Sequence, residues 1–184
     1  MACKETANWP EYVKVAVNLS PAQLKSKNLM AIVMSALEDS GMRPERLQLE
    51  ITETMLMQNT FATLGMLHQL RKLGVQIAMD DFGTGYSSLS YLRSFPFDKI
   101  KIDRSFIQDL SNGAEPRAIV HAVAGLAKCL NMISTAEGVE TQQQMDTLQA
   151  VGCTEMQGYL FSRARPAGEV MQLFEAHFAK AVNA

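Results

Sequence analysis

"IAMDDFGTGYSSL", residues 77–89, runs an apolar strand straight into two adjacent acids, a Gly-Thr-Gly turn and a serine pair. Folding alone gives no reason to set Asp80 beside Asp81 at the end of such a strand. Neighbouring carboxylates repel, and a buried charge must be paired or must hold a metal. What these two acids hold decides the reading of the whole chain.

Similar runs recur on both sides of that segment. They are VKVAVN (13–18), LQLEIT (47–52), VQIAMD (75–80), FDKIKID (97–103), MISTAE (132–137) and TEMQGY (154–159). Helical patterns lie between them. LMAIVMSALEDSG and FATLGMLHQLRKLG end on Gly41 and Gly74, TQQQMDTLQAVG ends on Gly152, and all three glycines are expected helix stops. PRAIVHAVAGLAKCLN carries Pro116 at a first-turn position, and PAGEVMQLFEAHFAKAV closes the chain. Strand and helix alternating at roughly 30-residue intervals give βαβ units and a parallel sheet. No linker or low-complexity segment breaks the pattern, so residues 1–184 are expected to form one domain.

The carboxyl ends of the six runs carry the chemistry: Asn18, Glu50, Asp80 with Asp81, Lys101, Glu137 and Gln157. For one strand, a polar terminal residue is ordinary. Six strands polar at the same end point to the active-site face of an α/β barrel. The donors are oxygens, which suit hard divalent cations such as Mg²⁺, Mn²⁺ or Ca²⁺. His68, His121 and His177 all fall in helical patterns and are not expected ligands. Adjacent aspartates can serve two cations, the usual device for displacement at phosphorus. Lys101 would add positive charge near the attacking water or phosphate, and Glu137 is placed to act as a base. The glycines of GTGYSS would let backbone approach metal or substrate closely.

Composition excludes several other classes. The chain is 47% apolar and 20% charged with a net charge of −2, the balance of an ordinary globular protein. Such a charge gives no field for polymeric nucleic acid or anionic membrane. Cys3, Cys129 and Cys153 are odd in number and widely spaced, so they read as reduced thiols in a cytoplasmic protein. The most apolar stretch, residues 118–127, is too short to cross a bilayer. The opening MACKETANWPEYVK reads as the tail of an amphipathic helix entered partway, as expected for a piece cut from a longer protein.

The motifs "VAVNLSPAQL", "LQLEITE", "MDDFGTGYSSLSYLRSFPFDKIKIDRSFI", "STAEGVET" and "MQGYLFSRARP" together resemble the EAL domain. That bacterial phosphodiesterase hydrolyses cyclic di-GMP to linear pGpG. The resemblance spans residues 11–174 and implies a TIM-type (β/α) barrel, incomplete here, with about six of eight units present. It implies that Asn18, Glu50 and Asp80 ligate one metal, and that Asp80 and Asp81 serve a second, which Glu137 reaches through water or directly. The ions would be Mg²⁺ or Mn²⁺, with Ca²⁺ inhibitory. Lys101 resembles the residue that holds the attacking water, Glu137 the general base and Gln157 a substrate-contacting or supporting amide. Glu53 resembles the glutamate that positions the DDFGTGYS loop, which in the family contributes to dimer contact and control.

The Glu-x-Leu motif that names the family is expected to lie before residue 1, so this piece is expected to be weakly active or inactive. Homodimerisation or self-association, and a GGDEF or sensor domain in the parent, are further expectations of the resemblance. Two other readings stay open. One is a non-catalytic cyclic di-GMP receptor or scaffold; the other is a Schiff-base enzyme using Lys101.

Overall fold

A computed structural model describes residues 1–56, 61–84, 89–111 and 113–174. Among them, six strands form one sheet: β1 (Val15–Asn18), β2 (Leu47–Thr52), β3 (Gln76–Phe82), β4 (Lys99–Ile102), β5 (Ile133–Glu137) and β6 (Glu155–Gln157). Each strand pairs in parallel with the next in sequence, in the order β1-β2-β3-β4-β5-β6. That singly wound order curls into an incomplete barrel, in agreement with the sequence pattern.

Alternation along each strand sorts the side chains. Leu47, Leu49, Ile51, Ile77, Met79, Ile100, Ile102 and Ala136 join the apolar core with Leu67, Leu70, Leu92, Val120, Ala127 and Leu148 of the surrounding helices. Each such leucine, isoleucine, valine or methionine side chain, fully buried, contributes about 1.5–3 kcal/mol. The residues between them on the strands, Gln48, Glu50, Lys99, Lys101, Thr135, Glu155 and Gln157, line one cavity of about 620 Å³ on the opposite face. The core therefore lies between sheet and helices, while the concave face carries these polar side chains beside Val13, Met156 and Phe174. Lys99 pairs with Glu155 at 2.5 Å, and Thr135 Oγ1 donates to Glu155 Oε2 at 3.0 Å, which ties β4, β5 and β6 together below the strand ends.

All six expected strands exist, several with trimmed ends. Asp103 leaves β4 because its carboxylate caps the helix Arg104–Gln108, accepting from the Ser105 N–H at 3.0 Å. β6 stops at Gln157, and the next residue must be a glycine because a Cβ at Gly158 would lie 2.1 Å from the Val139 carbonyl oxygen. The helix Leu29–Ser40 ends at Gly41 in the left-handed conformation, as its sequence predicts. The helix Gln142–Ala150 starts on a capping box made by Thr141 and Gln144. Pro116 sits in the first turn of Ala114–Cys129. Of the closing helical pattern, Ala167–Glu169 form a 3-10 turn and residues 170–174 are helical, and the rest, with His177, lies outside the described residues.

The N-terminal segment is held by one cation. Buried Arg46 donates to the carbonyls of Val13 (2.9 Å), Thr6 (2.6 Å), Trp9 (3.2 Å) and Pro10 (3.1 Å). No described helix is long and apolar enough to cross a membrane.

Candidate active site

Lys101 is the hub of the strand ends. It points from β4 into the concave face and is 5% exposed. Its ammonium lies 2.7 Å from Glu50 Oε2, 2.9 Å from Asp80 Oδ1 and 2.6 Å from Glu137 Oε1, acids supplied by β2, β3 and β5. Parallel pairing brings them together. Glu50 and Asp80 end neighbouring strands through the pairs Glu50–Ala78 and Thr52–Asp80, and Lys101 stands opposite Thr135, two residues before Glu137. Burial alone would lower the Lys101 pKa, but bonding to Glu137, Glu50 and Asp80 outweighs it and raises the pKa above the ordinary lysine value. Lys101 therefore stays an ammonium. A Schiff-base nucleophile needs the opposite shift, so that reading loses its support. Nor does Lys101 reach out to solvent.

Asp80 and Asp81 share this face because of a bulge. Strict alternation would send adjacent side chains to opposite faces of the sheet. The pairing instead runs Met79–Ile100 and then Phe82–Ile102, so β3 spends three residues where β4 spends two. Asp81 absorbs the extra residue at φ 54°, a conformation that Asp tolerates better than most residues. Carboxylate oxygens of Asp80, Asp81 and Glu137 consequently lie within 4.8 Å of one another. The turn beyond is closed by the Asp81 backbone carbonyl, which accepts from the Thr84 amide and hydroxyl.

The electrostatics are unbalanced. Four carboxylates, those of Glu50, Asp80, Asp81 and Glu137, face a single ammonium. Burial raises the Asp81 pKa, with Asp80 and Asp103 adding to the shift against Lys101 and Arg104. Burial also raises that of Glu137, and Asp80 and Glu50 add to it against Lys101. Ligand oxygens around a cation at 2.0–2.6 Å lie at most about 4–5 Å apart. An all-oxygen set at this spacing with excess negative charge fits a hard divalent cation.

The other predicted residues sit around this centre. Asn18 pairs with Glu50 in the strand register, and Gln157 pairs with Glu137. Both are exposed, and neither side chain hydrogen-bonds to a described residue. Buried Glu53 accepts from the Gly83 N–H at 3.1 Å, holding the chain just past the paired aspartates. The rest of the GTGYSS loop, residues 85–88, lies outside the described residues. Asp103 went unnoticed in the sequence although it adds to the field at Asp81; its signal was the acid that closes KIKID after Lys101. His68 and His121 lie on helices and not in this cluster.

The sequence model of the EAL domain matches residues 1–164. The chain belongs to the EAL domain family. Cyclic di-GMP phosphodiesterase NbdA of Pseudomonas aeruginosa is 43% identical over 167 residues, which are 91% of this chain and 21% of NbdA. The solved PaMucR phosphodiesterase in complex with c-di-GMP superposes with a TM-score of 0.88 at 41% identity, covering 92% of this chain and 70% of that one. Klebsiella pneumoniae BlrP1, solved with cy-diGMP and either calcium or manganese, gives a TM-score of 0.80 at 35% identity over 88% of this chain and 42% of its own. The EAL chain described here spans about a fifth of the length of the curated relatives it matches. These neighbours support a divalent cation at an EAL site without selecting the ion.

Proposed function

We propose that this EAL chain carries the metal-dependent hydrolysis of cyclic di-GMP to linear pGpG for its parent protein. The observation that carries the reading is the Lys101 hub, where acids from three strands pair with one ammonium and Asp81 lies beside two of them. Asn18, Glu50 and Asp80 would hold one Mg²⁺ or Mn²⁺, and Asp80, Asp81 and Glu137 a second. When bound, such cations polarise the phosphoryl oxygen and acidify a water. Lys101, fixed as an ammonium, would donate to the attacking water once one of its three N–H groups, each engaged by a carboxylate, is released. Glu137 takes the water's proton as the general base. The water oxygen bonds to phosphorus, the bond from phosphorus to O3′ breaks, and the leaving oxygen takes a proton from solvent. Gln157 would contact substrate, and Glu53 would hold the loop after β3 through Gly83. The proposal extends to one EAL-type unit over residues 1–184, a cytoplasmic parent bearing a GGDEF or sensor domain, and self-association of the chain.

The test follows pGpG release with Mn²⁺ for the parent protein and its Asp80→Asn variant. The variant is expected to lose nearly all turnover. Parental rates in that variant would refute the assignment, and cyclic di-GMP binding without hydrolysis by the parent would make it a receptor.

A further inference from the structure

Gln48 has no part in the apolar core or the acid cluster, yet it is 5% exposed and faces the same cavity as Glu50 and Lys101. It lies two residues before Glu50 on β2, so both side chains project from the concave face. Gln48 Nε2 donates to Glu50 Oε1 at 2.8 Å, while Lys101 Nζ donates to Oε2 at 2.7 Å. A carboxylate held on both oxygens from two different strands has one orientation. Each oxygen still keeps a lone pair, so the hold does not block a cation.

We propose that Gln48 is a positioning residue that fixes the carboxylate of Glu50 for cation binding; the inference rests on the reading of Glu50 as a ligand. The residue type fits the task. A buried amide is tolerated only with a hydrogen-bond partner, and Glu50 is that partner. A lysine or arginine here would compete with the cation for Glu50, and an ionised glutamate would repel it. A neutral donor orients the ligand and leaves its charge available.

The experiment titrates the 184-residue chain with Mn²⁺ alone, reading free ion by electron paramagnetic resonance. Wild type, Gln48→Met, Gln48→Ala and Asp80→Asn are compared, with thermal unfolding of each in chelator. Gln48→Met keeps the volume and removes the donor. The expected result is Mn²⁺ affinity lower by about 10–100-fold in both Gln48 variants, with cooperative unfolding retained. Affinity within twofold of wild type in a folded Gln48 variant, while Asp80→Asn loses binding, overturns the role of Gln48 and leaves the site reading intact. Failure of both Gln48 variants to fold would make the residue structural and also overturn the role. Absence of Mn²⁺ binding in wild type, or unchanged binding in Asp80→Asn, overturns the site reading and this inference with it.

Discussion

Replacing Lys101 with methionine removes the only ammonium paired with the acid cluster among the described residues and keeps most of the side-chain volume. The ammonium is almost fully buried, with carboxylates at 2.6, 2.7 and 2.9 Å. Breaking a buried ion pair from one side costs about 3–5 kcal/mol, because the remaining charge is left uncompensated. In a chain of this size 1 kcal/mol moves the thermal midpoint by about 2–4 °C, so Lys101→Met should lower it by roughly 6–20 °C without metal. The loss should depend on pH. Burial already raises the Glu137 pKa and Lys101 opposes that shift, so losing Lys101 raises it further. An acid with a raised folded pKa contributes stability below its unfolded pKa, and that stability is lost as pH rises through the folded value. The deficit should therefore grow as pH rises and shrink on acidification. Saturating Mn²⁺ should recover part of it, because a divalent cation stabilises only the folded acids. The assay is calorimetric unfolding of both proteins across pH, in chelator and in Mn²⁺. A metal-free midpoint within about 2 °C of wild type at every pH would refute the claim that this ammonium neutralises the site.

Asp81→Asn removes an acid whose pKa is raised by burial and by Asp80. It should raise the midpoint of the metal-free chain at neutral pH, lose that advantage in acid and weaken Mn²⁺ binding, all readable by the same calorimetry and titration. Gly83→Ala would place a Cβ 2.8 Å from the Phe106 ring at φ 98°, so a loss of about 1–3 kcal/mol in urea unfolding is expected. Arg46→Met strips charge-assisted bonds from four carbonyls, each bond worth about 1.5–3 kcal/mol. Its hydrogen exchange should speed up first over residues 6–13, and uniform acceleration across the sheet would contradict that local clamp.

Much of this protein is legible from its residues taken one at a time. The alternation of LQLEIT and KIKI fixes which side chains meet the helices, because period-two patterning survives in any half-buried strand. Glycines 41, 74 and 152 mark the helix ends through a local backbone preference. Asn18, Glu50, Lys101, Glu137 and Gln157 can be set on one rim, since parallel strands all present their carboxyl ends together. Those signals are local or periodic, and a sequence carries them directly. Gln48 was not singled out in the sequence, although its spacing of two from Glu50 placed it on the same face.

Three features had to wait for tertiary structure. The sequence sets Asp80 and Asp81 together at the strand end, but not how adjacent side chains share one face; the bulge against β4 that turns Asp81 back is a mismatch between strands far apart in sequence. The threefold grip of carboxylates on Lys101 depends on the register of four strands, which no single segment encodes. Arg46 clamps carbonyls 33 to 40 positions away, and backbone acceptors leave no mark in side-chain identity. Sequence names the groups that carry charge; packing decides which of them face each other, and in a buried site that distance sets whether charges repel, pair or take up a cation.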